Sequence, residues 1–311
     1  MMSLLEHIKG KGKSGFGYGS TAEEVTEGLS LAGKTILVTG CNSGLGYETL
    51  RVLSLRGARV VGTARTLDKA NEACSRAAHQ ASGARPVPME CELSQPDSVR
   101  ACVAQIKKEG LKLDVILCNA GIMALPQLQQ AYGLELQFFT NHIGHFLLVT
   151  GLFDQLTEQA RVVMLSSGAH NMAPRGGISF DNLSGEKHYK AWTAYGQSKM
   201  ANLLFSKELA RRFAGTGKSA NAIHPGVITT QLWRHMNPMI RALFGTVSPL
   251  VLKSPEQGAA TQVYAAVHPK ASGISGSYFA DCNLAKSRSD ANDPELARRL
   301  WDVSEEIVGR L

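Results

Sequence analysis

A short apolar run, Ile36-Leu37-Val38, leads into Thr39-Gly40-Cys41-Asn42-Ser43-Gly44-Leu45-Gly46, after which apolar residues recur at helical spacing. Glycines let a backbone turn tightly and approach a ligand closely. When such a turn opens a helix, its free N–H groups and the positive end of the helix dipole converge on one point, which suits a pyrophosphate. A plain strand-to-helix turn is the competing reading of any lone glycine-rich stretch. Here the turn joins the first strand of the core to its first helix, and that position predicts a nucleotide-binding α/β fold.

The rest of the chain reads as a βαβ series. Strands are predicted over 34–39, 58–63, 86–91, 113–118, 161–166, 219–224 and 276–280, and helices over 44–56, 68–81, 96–109, 131–156, 190–213 and 255–267. Parallel strands buried on both faces need crossover helices, so this order implies a doubly wound (Rossmann) parallel sheet. Ser20 or Thr21, followed three residues later by Glu23 or Glu24, is a capping-box signal for a short helix over 21–28. Residues 1–19, with Lys9, Lys11 and Lys13 among glycines and serines, read as a flexible leader. The expected organisation is an N-terminal extension over 1–30 and one dinucleotide-binding domain over 31–311, with a substrate lid over about 228–253.

Composition narrows the class. The 311 residues are 44% hydrophobic and 19% charged, and no apolar run is long enough to span a bilayer. A soluble protein with no integral membrane segment is expected. The net charge of +7 comes from basic residues scattered among acids, so no nucleic-acid partner is expected. Six cysteines without C-x-x-C spacing fit reduced thiols in an intracellular compartment, the cytoplasm or an organelle stroma.

Tyr195-Gly196-Gln197-Ser198-Lys199 lies in a helical pattern, which puts Tyr195 and Lys199 on one face. A nearby ammonium stabilises a phenolate, bringing the phenol toward usefulness as a general acid/base near neutrality. By itself the pair is also what a half-buried tyrosine beside a surface lysine looks like. Upstream, Val162-Val163-Met164-Leu165 ends in Ser166-Ser167-Gly168, and a hydroxyl at the C-terminal end of such a strand faces the ligand crevice. His142 and His145 share a helix face, but no third ligand accompanies them, so no metal is expected.

Together these segments resemble the short-chain dehydrogenase/reductase family over about residues 31–285. The turn has the family's T-G-x-x-x-G-x-G spacing, and Cys118-Asn119-Ala120-Gly121 is similar to its N-N-A-G, with Cys in place of the first Asn. The resemblance implies that Tyr195 exchanges a proton with the substrate oxygen and that Lys199 also binds the nicotinamide ribose. It assigns Ser167 to hold the substrate oxygen, with Ser166 as the alternative. It further implies that Asn141, in Asn141-His142-Ile143-Gly144-His145-Phe146, anchors a water on the proton path.

Cofactor contacts are implied for Gly40, Asn42, Ser43, Gly44, Leu45 and Gly46 at the turn, and for Asn119, Ala120 and Gly121 beneath the ribose. Glu92 and Leu93 stand where the family has Asp and an aliphatic residue beside the adenine. After the sixth strand, Pro225-Gly226 with Ile228 and Thr230 matches the turn lining the nicotinamide. NAD enzymes place an acid at the end of the second strand; here Ala64 stands in that position and Arg65 follows. A guanidinium pairs with a 2′-phosphate, so NADP(H) is the expected cofactor, unless Arg65 is merely a solvated loop residue.

The spacing of Ser167 and Tyr195 is longer than is usual in the family. With Ser166-Ser167-Gly168-Ala169-His170 and Ala194-Tyr195-Gly196-Gln197-Ser198-Lys199, it looks like the retinol dehydrogenase, WW-domain oxidoreductase and plastid translocon-associated dehydrogenase branch. That implies an oxidoreductase acting on a carbonyl or alcohol of a lipophilic small molecule. His170, Met172 and Trp192, with Trp233 and Met236 of the lid, are the candidate substrate residues. An ordinary core-packed helix is the competing reading of the lid segment. Two alternatives to the enzyme stay open: an NADPH-binding redox sensor or scaffold with little turnover, and a structural module. A homo-oligomer is compatible with all of these.

Overall fold

The computed structural model describes residues 10–228 and 252–311. Alternation of strand and helix begins with β1 (Thr35–Thr39), α1 (Gly44–Leu55), β2 (Arg59–Ala64), α2 (Leu67–Ala78), β3 (Val87–Glu90), α3 (Pro96–Lys108) and β4 (Leu113–Cys118). It continues with α4 (Leu136–Gly151, including a π turn over Phe139–Ile143), β5 (Leu156–Leu165), α5 (Ala191–Arg212), β6 (Ser219–His224), α6 (Pro255–Val267), β7 (Tyr278–Ala280), β8 (Asn283–Leu284) and α7 (Pro294–Arg310).

Among the described residues the strands form one eight-stranded sheet in the order β8-β7-β6-β5-β4-β1-β2-β3. Every pairing is parallel except the terminal β8–β7 pair. Fully buried Ile36 and Val38 point to one face of the sheet and Leu37 to the other, each entering a separate apolar core. The strand order reverses between β1 and β4, which opens a crevice beyond their carboxyl ends. The glycine turn leaves β1 there, Asn119-Ala120-Gly121 leaves β4 and Ser166-Ser167 leaves β5.

Several expected elements need correction. The helix expected over 131–156 is shorter. Gln130–Ala131 and Leu134–Glu135 form a hairpin, and Tyr132 (φ 52°) and Gly133 (φ 76°) occupy its turn in conformations a helix cannot hold. The helical run begins at Leu136, where the Glu135 side chain accepts from Phe138 N, and ends at Gly151. β5 consequently starts at Leu156 rather than 161. The helix expected over 21–28 is a single 3-10 turn, Glu24–Thr26. Its capping box is real: Thr21 N donates to Glu24 Oε2 (2.8 Å) and Glu24 N to Thr21 Oγ1 (3.2 Å).

Residues 10–19 are not a loose leader. Phe16 packs edge-on against Tyr264 at 5.9 Å, and its carbonyl accepts from Asn283 Nδ2 at 3.0 Å. α7 has no counterpart among the expected elements, although its signals are present: Asp293 caps it, Pro294 opens it, and Ala297, Leu300, Trp301 and Ser304 form its buried stripe. The expected lid segment, with Thr230, Trp233 and Met236, lies outside the described residues apart from its ends. Those ends meet: Ile228 bridges Lys253, whose N–H donates to the Val227 carbonyl at 2.9 Å.

Candidate active site

At the end of β1 the chain turns at Gly40 (φ 69°). A Cβ on Gly46 would sit 2.0 Å from the Gly40 carbonyl oxygen, so only glycine closes this turn. Asn42, Ser43, Gly44 and Leu45 rim it and remain accessible. Ser43 is the N-cap of α1, yet its side chain makes no capping hydrogen bond. The first N–H groups of α1 therefore face the crevice without a side-chain acceptor, which fits a pyrophosphate bound at a helix N-terminus.

Beside it, Asn119 Nδ2 donates to the Thr39 carbonyl at 2.8 Å, and a Cβ on Gly40 would meet Ala120 Cβ at 2.9 Å. Asn119 and Ala120 thus brace the turn from below. Arg65 follows β2 with its side chain 66% exposed, its Nε 4.0 Å from Glu92 Oε2. Glu92 Oε1 accepts from Ser94 N and Oγ, while Leu93 is core. The Leu93 carbonyl oxygen would lie 2.3 Å from a Cβ on Gly144, so Leu93 supports the helix carrying Asn141. On the far side Pro225 is buried, Gly226 takes φ 96°, and Ile228 and Leu45 both border Gly258 of α6.

The residues expected to handle the proton sit on three elements. Ser167, at the exit of β5, accepts from Ala169 N at 3.2 Å and stands close enough to the Tyr195 hydroxyl to ease its ionisation. Ser166, the alternative, turns its Oγ–H to the Lys199 carbonyl at 2.7 Å and is buried. In α5, Lys199 Nζ lies 5.7 Å from the centroid of the Tyr195 ring and donates to the Leu165 carbonyl at 3.0 Å. Asn141 lies in a π turn, Phe139–Ile143, within the helical run. Its amide Nδ2 donates to the Ile122 carbonyl and to Ser198 Oγ, each at 2.9 Å, and Oδ1 accepts from Ile122 N at 2.8 Å. A Cβ on Gly121 would meet Asn141 Oδ1 at 2.9 Å and Lys199 Nζ at 3.4 Å, so the loop leaving β4 passes directly over both.

Electrostatics differ from the expectation. Burial pushes the Tyr195 hydroxyl up to about 12, against the opposing pull of the nearby Ser167 hydroxyl, and pulls the Lys199 ammonium down to about 8. Desolvation dominates at both groups, and the ammonium makes its hydrogen bond to the Leu165 carbonyl. Burial therefore keeps Tyr195 a neutral phenol at pH 7.

The candidate substrate residues divide. Met172 (53% exposed) and Trp192 (41% exposed) are large apolar surfaces, and the Trp192 ring meets Tyr195 edge-on at 6.1 Å. His170, by contrast, is 2% exposed. Its Nε2 accepts from Arg288 N (3.2 Å), which fixes the proton on Nδ1, and that N–H donates to the Ser167 carbonyl (2.6 Å). Both of its nitrogens are engaged in backbone bonds, one of them to Ser167.

Gly196, passed over in the sequence, makes this approach possible: a Cβ there would lie 2.7 Å from Ala169 O and Ala173 N. A glycine inside an otherwise strong helix was the available signal. His142 and His145 diverge, His142 bonding Ser304 Oγ and His145 bonding Thr39 and the Asn141 carbonyl.

A doubly wound sheet with a glycine phosphate cradle and a Ser-Tyr-Lys cluster at its switch point defines a dinucleotide-dependent oxidoreductase class. Residues 34–241 match the short chain dehydrogenase family, and the chain belongs to it. It is 40% identical to a Brassica napus protein named Short-chain dehydrogenase TIC 32 B, chloroplastic, over the full length of both. It is also 40% identical to human retinol dehydrogenase 14, over 90% of this chain and 87% of that protein. The crystal structure of an uncharacterized protein from Mycobacterium paratuberculosis is similar with a TM-score of 0.73 and 31% identity, over 92% of this chain and 97% of the other. Among the described residues no helix is long and apolar enough to cross a membrane.

Proposed function

We propose that this chain is an NADP(H)-dependent reductase of lipophilic aldehydes or ketones, working reversibly on the corresponding alcohols. The observation that carries the reading is the Ser167–Tyr195 hydroxyl pair, one helical turn from Lys199, beside the glycine cradle. Residues 31–311 form the catalytic unit and 1–30 its extension.

The turn over Gly40–Gly46 would hold the pyrophosphate, Asn119–Gly121 and Lys199 the ribose on the nicotinamide side, and Pro225–Ile228 the nicotinamide. Ala64 and Arg65 favour the 2′-phosphate of NADP over an unphosphorylated ribose, since the acid that would bind free ribose hydroxyls is missing and a guanidinium stands next to it. When bound, NADPH supplies the hydride that reduces the carbonyl carbon.

Ser167 and Tyr195 donate hydrogen bonds to the substrate oxygen, where negative charge develops. Tyr195, a neutral phenol, then releases its proton to that oxygen, and the Lys199 ammonium stabilises the phenolate left behind. Asn141 keeps the Ile122 loop and Ser198 in place around them. Met172 and Trp192 offer the exposed apolar surface that a bulky apolar substrate requires. The similarity to a retinol dehydrogenase supports that substrate class, and the similarity to a protein named chloroplastic favours an organelle stroma over the cytoplasm.

The test is fluorescence titration with NADPH and NADH, followed by turnover with aliphatic aldehydes of increasing length, retinal and steroid ketones. Tyr195→Phe should abolish turnover while NADPH still binds. Binding without turnover of any carbonyl would replace the reductase reading with that of an NADPH sensor.

A further inference from the structure

We propose that His145 is a positioning residue, which couples the phosphate turn to the catalytic helix by holding the Asn141 carbonyl and the Thr39 hydroxyl at once. The proposal rests on the reductase reading for its consequence, and on the following geometry for its existence.

The His145 imidazole is fully buried. Its Nδ1 lies 2.9 Å from the Asn141 carbonyl oxygen, which only accepts, so Nδ1 carries the proton. Nε2 is then a bare acceptor, 2.9 Å from Thr39 Oγ1. Thr39 Oγ1 in turn accepts from Asn119 N and Ala120 N, each at 3.0 Å, and its own proton goes to Nε2, much nearer than the Leu117 carbonyl at 3.5 Å. Every donor in this chain meets an acceptor in one tautomer alone. Protonation of the ring would leave Thr39 facing a third donor. Burial first, and then the nearby Lys199 charge, act against that protonation, while the bond to Asn141 favours it.

The consequence follows from what Asn141 touches. Its side chain grips both polar groups of Ile122 and donates to Ser198 Oγ, which donates to the Tyr195 carbonyl at 2.8 Å. A shift of the Asn141 backbone therefore moves the loop above Lys199 and the turn of α5 carrying Tyr195. His142, in the same π turn, lacks this connection: its Nε2 reaches only Ser304 of α7. The bridge from His145, in the turn that follows, adds the end of β1 to what Asn141 already holds together, the loop after β4 and α5.

The test compares His145→Leu, which removes both bonds at similar volume, with His145→Gln, which keeps one donor and one acceptor, in the full chain. Decanal reduction, NADPH affinity, thermal unfolding and the titration of Tyr195, followed through a 13C label at Cζ, are measured for each. In His145→Leu we expect kcat to fall about 10- to 100-fold, the range of a displaced acid/base group. The Tyr195 titration should shift with it, and NADPH affinity should change by less than about 3-fold, as expected of a group acting mainly on the transition state. His145→Gln should recover most of kcat and the wild-type titration.

If Leu and Gln behave alike, or if Leu changes only the unfolding temperature, His145 is structural and the proposal is overturned. A wild-type chain that reduces no carbonyl, yet shows the Tyr195 shift in Leu and its restoration in Gln, would sink the reductase reading and leave the positioning role standing.

Discussion

Lys199 Nζ lies over the Tyr195 ring, 5.7 Å from its centroid, and makes its hydrogen bond to the Leu165 carbonyl instead of to the phenol. Its charge stands within reach of a phenolate formed there, across a buried and weakly screened gap. Both side chains are held where burial penalises their ionised forms, so the phenol stays protonated and the ammonium titrates unusually low.

The pH dependence of reduction follows. Above about 8 the ammonium loses its proton, and with it the charge that stabilises the phenolate formed as Tyr195 gives up its own. The kcat/KM for carbonyl reduction should therefore fall on the alkaline side with an apparent pKa of about 8, well below the 10.5 of an ordinary lysine. Initial rates between pH 6 and 10 in constant-ionic-strength buffers would show it. A profile flat to the normal lysine range would mean that Lys199 does not carry that charge.

Arg65 should set the choice of dinucleotide. Its guanidinium, mostly exposed at the end of β2, loosely faces Glu92 and has room to turn toward a phosphate. Arg65→Ala should weaken NADPH about 10- to 100-fold, the worth of one charge-assisted bidentate contact, and leave NADH nearly untouched. Titration of both dinucleotides into wild type and variant is the measurement. Equal losses for the two would place Arg65 outside the phosphate contact.

Acid should destabilise the fold through two histidines. Burial chiefly holds His142 near 3 and His145 near 4, whereas in the unfolded chain both take protons below about 6.5. The unfolded state then binds more protons, so stability is complete above 6.5 and is lost as the pH falls toward the folded values. By pH 4.5 the loss is about 2 to 3 kcal/mol for each imidazole. Urea unfolding at pH 7.5, 5.5 and 4.5 would measure it, and His145→Gln should remove about half of the pH-dependent loss, its share as one of two such groups. An identical slope in that variant would show that His145 is not held neutral.

What the sequence determined by itself is local. The glycine turn, the strand-helix alternation and the Tyr195 to Lys199 spacing are short-range patterns, and hydrophobic periodicity with turn chemistry is enough to read them. From these the doubly wound sheet followed, and so did the family resemblance.

Tertiary structure decided the rest, because burial and backbone contacts between distant segments leave little trace in spacing. It buried His170 and engaged both its nitrogens, one with the Ser167 carbonyl and the other with an N–H on Arg288 more than a hundred residues away. It brought residues 10–19 down onto α6 and β8. It set the protonation of Tyr195, since desolvation depends on everything packed around the hydroxyl, whereas the spacing of Tyr195 and Lys199 records only the neighbour one turn away.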